Sequence, residues 1–247
     1  MKPKIAYLIV GLLLNSFVSA QDKKTVDADM VWVGYFNTIK LNPRFAINSD
    51  LQGRTRNSLL SQYVTRAGLV FGVNSKLYLV GGFAAFFYPQ PTNQNLLRNE
   101  WRPWEEIMIA DNIGNLKINH RFRAEQRYNE VIIKNNLTDD YSYTNRFRYK
   151  IDLQYPLLRS EKETHSVYII AANELMINTG KSIKYNYFDQ NRTSVGISYK
   201  ATRAFTFQVI LMRIWQQQSN GYTLENDKVL RFNIYHTIYA NRSTKQQ

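Results

Sequence analysis

Residues 116–128 read LKINHRFRAEQRY and decide the fold, because two patterns alternate along them. Every second position, from Leu116 to Tyr128, is mostly apolar or aromatic. The positions between them are polar, and most are charged: Lys117, Asn119, Arg121, Arg123, Glu125 and Arg127. Side chains alternate between the two sides of a strand, so this stretch predicts a β-strand with one apolar and one charged face. A period of two sustained over this length excludes an amphipathic helix.

The same alternation recurs along most of the chain, and its longest example covers residues 141–155. About eleven strand-like segments can be counted, many of about 10–15 residues, whereas soluble strands usually have about 5–6 and a tilted membrane-spanning strand needs about 9–11. The sequence therefore predicts an all-β fold, a single antiparallel outer-membrane-type β-barrel. Because bacterial barrels normally have an even number of strands, we expect either ten or twelve of them.

The first twenty residues of the chain predict export. Lys2 and Lys4 precede an apolar run, and Val18-Ser19-Ala20 fits a signal-peptidase site. The apolar run is shorter than the roughly 20 residues that a spanning helix needs, so a cleaved signal peptide is expected. The predicted organisation is a signal peptide at 1–20, a flexible lead at 21–29, one barrel domain at 30–240 and a polar tail at 241–247.

The connections between strands provide a second signal. Long polar links are expected at 89–100, 131–140, 179–186 and 216–227, and they alternate with mostly shorter turns. Outer-membrane barrels have short turns at one end and longer loops at the other. The pattern therefore favours a protein exported to the bacterial outer membrane, and a soluble periplasmic β protein that binds an acidic ligand is an alternative.

The composition limits the classes of function. The chain has 32 Lys and Arg against 19 Asp and Glu, and its lack of cysteine excludes disulfides, thiolate metal sites and a cysteine nucleophile. A basic chain often binds nucleic acid, but an export signal argues against that partner. We expect outer-membrane lipid as the partner, small anions as a second one, no cofactor, and a monomer.

The charged faces are expected to line the lumen if the apolar faces contact lipid. The residues predicted to form this lumen charge ladder are Arg54, Arg56, Arg121, Arg123, Glu125, Arg127, Arg146, Arg148, Asp152, Glu174 and Arg192. All inward candidates together, Arg44 among them, comprise twelve basic and four acidic residues, a balance of +8. Two roles fit this ladder: a structural network that fills the lumen, or a narrow, porin-like pore or site that prefers anions.

Catalysis has little support in the sequence. His120 and His236 fall on the apolar face by parity, and His165 lies near a loop, so none is placed as a base in the lumen. Glu105 and Glu106 point to opposite faces of a strand and cannot act together. We therefore expect no enzyme activity, with a lipid-acting enzyme embedded in the same barrel as the alternative.

A set of motifs along the mature chain resembles a known bacterial family. They are Trp32, Arg102-Pro103-Trp104-Glu105, the string from His120 to Arg127, Asn173-Glu174-Leu175, and Phe188-Asp189-Gln190-Asn191-Arg192 with Gly196 and Tyr199. The most specific of them is His-Arg-x-Arg-x-Glu-Gln-Arg. They resemble domain of unknown function 2490, common among exported proteins of Gram-negative bacteria. The resemblance implies a β-barrel-like outer-membrane protein without an established activity, so it assigns no catalytic or binding residue.

Overall fold

The computed structural model describes residues 23–240, with gaps at 91–92, 134–135 and 161–163. The described residues form eleven strands: β1 Lys24–Lys40, β2 Phe45–Arg56, β3 Leu59–Gly72, β4 Leu77–Gln90, β5 Asn93–Ile113, β6 Leu116–Ile133, β7 Asn136–Leu158, β8 Ser166–Thr179, β9 Phe188–Lys200, β10 Phe205–Gln217 and β11 Thr223–Tyr239. Within the same residues, no helix has the length and apolar character needed to cross a membrane. The predicted signal peptide and polar tail lie outside the described residues.

The strands form one closed barrel, in which each strand pairs with its neighbours in sequence. Consecutive strands are antiparallel, but β1 and β11 pair in parallel, from Lys24 opposite Thr223 to Lys40 opposite Tyr239. The prediction of an all-β barrel is confirmed, and the prediction of ten or twelve strands is wrong for the part of the chain described. An odd number closes because a parallel register also satisfies the backbone groups of two edge strands that run the same way.

The start of β1 corrects the predicted flexible lead at 21–29. The strand begins at Lys24, and its first residues pair with β11. A polar sequence gives no alternation to read there, but the backbone N–H and C=O groups need partners, and the first residues of β11 provide them.

Two of the predicted long links are largely strand. β4 continues to Gln90 and β5 begins at Asn93, while β6 continues to Ile133 and β7 begins at Asn136. The strands β5 and β7 consequently reach 21 and 23 residues. A longer link at 159–165 lies at the rim opposite to those at 180–187 and 218–222, so the predicted asymmetry between short and long connections is wrong in the described residues.

The two faces of the barrel invert the arrangement of a soluble protein. The outer face exposes large apolar side chains, among them Val33, Leu51, Leu69, Phe83, Ile107, Phe122, Phe147, Val195, Leu211 and Phe232. The inner face buries charged side chains such as Glu100, Glu125 and Arg146. Charged residues are almost never fully buried unless they are paired, so the interior must satisfy them internally.

Part of the interior is apolar. The indole ring of Trp104 lies so close to Gly68 and Gly82 that a Cβ at these positions would come within 2.9 and 2.5 Å of it. Trp104 packs in a buried cluster with Val64, Val70, Val80, Ala84 and Phe86. A second cluster joins Trp32, Ile214 and Val229. These side chains fill part of the lumen, as expected at small strand numbers.

Candidate functional site

The inner face carries ion pairs in which the two signs are equal in number. Nine basic residues take part: Arg56, Arg66, Arg102, Arg121, Arg123, Arg127, Arg146, Arg148 and Lys150. Nine acidic residues are their partners: Asp50, Glu100, Glu106, Glu125, Asp152, Glu174, Asp189, Glu225 and Asp227. These groups neutralise one another, which burial requires, because removing an ion from water without a partner is very unfavourable.

Half of these residues form one connected network, which we call the paired wall. Its members are Glu100, Arg102 and Glu106 on β5, Arg121, Arg123, Glu125 and Arg127 on β6, Arg148 on β7 and Glu174 on β8. Arg148 joins two of the carboxylates, because its Nη1 donates to Glu125 at 2.5 Å and its Nη2 to Glu174 at 2.7 Å. Hydrogen bonds between charged partners are the stronger kind, so the paired wall ties four strands together.

Glu100 anchors one end of the paired wall. It is completely buried, and its carboxylate accepts hydrogen bonds from Arg102 Nε at 2.6 Å and from Arg127 Nε at 2.5 Å. The hydroxyl of Tyr88 donates to the second oxygen at 2.7 Å. A buried carboxylate with donors from three side chains is well satisfied, so it serves as a fixed structural group.

The spacing in β6 explains why the paired wall forms where it does. Arg121, Arg123, Glu125 and Arg127 lie two residues apart, so the pleat aligns them along one inner row. The register then sets this row beside acidic and basic residues of β5 and β7, for example Arg123 opposite Glu106 and Glu125 opposite Arg146. The charged positions of residues 121–127 are therefore the centre of the network.

The structure places the whole predicted ladder on the inner face, but not in one environment. Arg121, Arg123, Glu125, Arg127, Arg148 and Glu174 belong to the paired wall. Outside it, Arg56 pairs with Glu225 and Asp227, Arg146 with Asp189, and Asp152 with Lys150. Arg54 and Arg192 take part in none of these ion pairs and line the central cavity.

Several charged residues of the interior were missed by the sequence reasoning. They are Arg102 and the acidic residues Glu100, Glu106, Asp189, Glu225 and Asp227. Most lie in or beside segments predicted as loops. Ile107 and Ile109 mark the apolar outer face of β5, and continuing the alternation from them to the positions between, Glu106, Arg102 and Glu100, would have found three of them. Arg44, counted as inward, is exposed in the turn before β2. The expected balance of +8 is therefore wrong.

The remaining positive charge is concentrated in one place, which we call the Trp32 arginine cluster. It consists of Arg54, Arg192 and Arg231, which form no ion pair among the described residues, around the indole of Trp32. Their Cζ atoms lie 4.0, 5.2 and 5.8 Å from the ring centroid, within the range of cation–π attraction. The register builds the cluster, because Trp32 lies opposite Arg54 on β2 and opposite Arg231 on β11.

Hydrogen bonds within this cluster satisfy donors without cancelling charge. They run to neutral amide oxygens: those of Gln52 and Gln62 for Arg54, that of Gln190 for Arg192 and that of Asn233 for Arg231. Two buried donors, Trp32 Nε1 and Arg54 Nε, have no hydrogen-bond partner in the described part of the chain. The paired wall also has buried donors without a partner there, Arg121 Nε and Arg123 Nη1, but its arginines pair with carboxylates. The cluster therefore differs from the paired wall in that no carboxylate of the described residues cancels its charge.

A cavity of about 550 Å³ runs beside the cluster inside the barrel. All three arginines line it, together with further charged residues of both signs, among them Arg66, Lys150, Asp50 and Glu174. Its other lining side chains include the neutral polar residues Thr38, Asn48, Gln154, Ser194 and Gln208. A space of this size and polarity accommodates hydrated small ions, and the nearest fixed charges are mainly positive.

The side chains of the three histidines contact tyrosines. The Nδ1 atoms of His120, His165 and His236 are 2.9, 2.9 and 2.7 Å from the hydroxyls of Tyr149, Tyr199 and Tyr35, all on the exposed outer side. Glu105 also faces outward, where it accepts a hydrogen bond from Gln126 Nε2 at 3.1 Å, while Glu106 faces inward. The arrangement gives no nucleophile–base pair from these residues.

Fold and site together define a class of protein: a closed β-barrel with an apolar exterior, an ion-paired interior and a small basic cavity. The chain belongs to the family described as "Protein of unknown function (DUF2490)", which matches residues 29–225. The resemblance seen in the motifs is thereby confirmed, and it comes without an assigned activity.

Comparisons outside the family add little. No curated protein matches the sequence significantly. A solved structure titled "KdgM porin in complex with disordered oligogalacturonate" aligns with a TM-score of 0.40 at 14% sequence identity, covering 74% of this chain and 81% of the other. A likeness of this level does not indicate a shared activity.

Proposed function

We propose that this protein is an outer-membrane β-barrel whose narrow, partly filled interior prefers anions. The observation that carries the proposal is the charge distribution of the lumen. The ion pairs cancel one another, and three arginines around Trp32 remain beside the cavity with no acidic partner in the described residues. Fixed positive charge in a confined space of low dielectric raises the local concentration of anions and lowers that of cations.

The outer surface supports a membrane location. Aromatic side chains of the outer face include two levels near the rims, with Tyr63, Trp101 and Tyr128 towards one rim and Phe71 and Tyr199 towards the other; others, such as Phe83, lie between these levels. On β3 the two levels are Tyr63 and Phe71, a separation of roughly 20 Å of depth at about 3.3 Å per residue and a tilt of about 45°. Outer-membrane barrels have an apolar band about 25 Å tall between two aromatic girdles, and the separation on β3 is somewhat smaller but of that order.

The filled part of the lumen supports a second candidate, a barrel that is structural and closed to ions. Trp104 and its apolar neighbours occupy the interior next to β3 and β4, and the paired wall occupies the side formed by β5 to β8. Both limit the free cross-section. The two candidates share the location and the basic cavity, and they differ in whether ions pass.

The location is tested by fractionation. The full-length protein is expected in detergent-extracted outer membranes of a Gram-negative host, with gel migration that changes on heating, because a folded barrel resists unfolding in detergent. Recovery in the soluble periplasmic fraction, without heat-modifiable migration, would contradict the proposal and favour the soluble alternative.

The anion preference is tested in planar bilayers. With a KCl gradient across the bilayer, the reversal potential is expected to have the sign of anion selectivity, and the triple variant Arg54→Gln/Arg192→Gln/Arg231→Gln is expected to lose most of it. A cation-selective wild-type pore would refute the preference. A folded barrel without measurable conductance would support the second candidate, a structural barrel that is closed to ions. Loss of a lipid modification in a deletion strain, restored by the wild type but not by Glu125→Gln, would instead point to the lipid-acting enzyme.

A further inference from the structure

The Trp32 arginine cluster has a charge that its surroundings do not balance. Arginine stays protonated in proteins, so Arg54, Arg192 and Arg231 bring three like charges within 6 Å of one ring centroid. Asp50 in the same cavity pairs with Arg66, and Glu174 lies opposite Arg192 in the register of β8 and β9. Its carboxylate is already engaged by Arg121 and by both Nε and Nη2 of Arg148. A counter-ion from outside the chain is therefore the missing component.

The cluster also lacks acceptor atoms. Trp32 is 4% exposed, and its indole N–H has no hydrogen-bond partner among the described residues. The Nε of Arg54 is buried and equally without a partner there. Three other buried donors without a partner in the described chain, Trp104 Nε1, Arg121 Nε and Arg123 Nη1, lie in or beside the paired wall, whose arginines already pair with carboxylates. Because buried donors are nearly always satisfied in folded proteins, the two that lie beside three arginines without a carboxylate indicate the place of an acceptor that the chain itself does not supply.

The arrangement favours an oxyanion of more than one charge. The donors reach the site from β1, β2, β9 and β11, so a ligand with several acceptor oxygens in different directions uses them better than a spherical halide does. Guanidinium groups bind phosphate-like oxyanions with paired, charge-assisted hydrogen bonds. Ile214 and Val229 pack against Trp32 in a buried apolar cluster, so they offer no acceptor to its N–H.

We infer that the Trp32 arginine cluster binds a single free polyvalent oxyanion of the phosphate or sulfate type inside the barrel. This inference rests on the proposed function, because the ion must enter through the lumen. Arg54, Arg192 and Arg231 supply charge and hydrogen bonds, and the buried N–H of Trp32 is a further donor.

The test is titration of inorganic phosphate into the purified, folded barrel in detergent, at ionic strength held constant with NaCl. Calorimetry is expected to show saturable binding of one phosphate per barrel, with sulfate competing for the same site. Indole fluorescence is expected to change in parallel, because Trp32 is at the site. Binding that follows ionic strength alone, without saturation, would overturn the inference.

Variants locate the site. Arg231→Gln and Arg192→Gln are each expected to weaken phosphate binding at least about tenfold, the effect of losing a charge-assisted hydrogen bond. Trp32→Phe keeps a ring for the arginines and removes the N–H, so it is expected to weaken binding by about two- to fivefold. The matched control is Lys150→Gln, which removes one positive charge from the same cavity outside the cluster and is expected to change affinity less than about threefold. Equal losses of phosphate affinity in the control and in the cluster variants would show that the positive charge of the whole cavity attracts phosphate and that the cluster is not a specific site.

Folding is checked in every variant by heat-modifiable migration. If a cluster variant fails to fold, block of wild-type conductance by sulfate, compared with chloride at equal ionic strength, still decides the matter: saturable block supports the site and its absence opposes it. Anion-selective conductance with neither phosphate binding nor block by sulfate would refute the oxyanion site and still support the proposed function. Saturable binding to a barrel without conductance would keep the site and remove the pore.

Discussion

Arginine has different roles in the paired wall and in the Trp32 arginine cluster. In the wall, Arg148 is held between two carboxylates, and its charge is cancelled at 2.5 and 2.7 Å. In the cluster, Arg231 donates to an amide oxygen and faces an aromatic ring, and no carboxylate in the described part of the chain cancels its charge. Both arginines occupy inward positions of long strands, so the difference lies in which residues the neighbouring strands bring opposite them. The role of an inward arginine is therefore set by register.

The largest effect is expected from breaking the wall. Glu125→Gln leaves Arg148 and Arg102 short of a carboxylate in a buried place, and removing one partner of a buried ion pair typically costs about 3–5 kcal/mol. Denaturant unfolding of the barrel in lipid vesicles measures this loss. The double variant Glu125→Gln/Arg148→Met is the control and should recover part of it. A loss below about 1 kcal/mol would show that the wall is not a stabilising network.

A second prediction moves an arginine to the other face of the same strand. Phe147 lies between Arg146 and Arg148 in sequence but points outward and is exposed. Phe147→Arg should destabilise the barrel by about 2–4 kcal/mol if the residue lies near the bilayer midplane. Phe147→Leu, which keeps an apolar outer face, should unfold nearly as the wild type does. An Arg variant of unchanged stability in lipid would contradict the membrane location.

Glu105 offers the reverse change on the outer face. Its carboxylate faces outward along β5 between the apolar Trp101 and Ile109, with Gln126 as its hydrogen-bond donor. Glu105→Leu is expected to stabilise the barrel in lipid vesicles by about 1 kcal/mol, because acidic residues on the lipid face are unfavourable, though less so than basic ones. The inward neighbour provides the contrast, since Glu106→Leu breaks ion pairs with Arg121 and Arg123 and should destabilise.

The smallest effect is expected in the cluster. Arg54→Gln removes one of three like charges and breaks no ion pair, so the free energy of unfolding should change by less than about 1 kcal/mol in the absence of oxyanions. Unfolding in chloride and then in phosphate distinguishes stability from binding: phosphate should stabilise the wild type and do so less in the variant. A destabilisation as large as that of Glu125→Gln would remove the distinction between the two regions.

The alternation of β6 and β7 was enough to predict a barrel and which residues turn inward, because parity depends only on the pleat. The partners were not predictable in the same way. Glu100 reaches Arg127 only through the register of β5 and β6, and Glu100 itself stood in a stretch whose polarity indicated a loop. Trp32 was visible as an aromatic residue in a strand, but its place between Arg54 and Arg231 depends on two pairings, one of them the closure with β11.

The strand count was out of reach for a related reason. Alternation indicates strands one at a time and carries no information on how the first and the last of them meet. The polar residues at the start of β1 give no periodic signal, and their strand conformation follows from pairing with β11, some two hundred residues away in sequence. Long-range pairing of this kind can be seen only in three dimensions.

The parallel seam between β1 and β11 has a topological consequence. Because both strands run in the same direction, Lys24 and Tyr239 lie at opposite rims of the barrel. A peptide that joins these two points must run the full height of the barrel. A short linker between them therefore cannot produce a circular permutant of this fold. If the barrel spans the outer membrane as proposed, epitopes placed beside the two residues face different compartments, and each is accessible from one side alone.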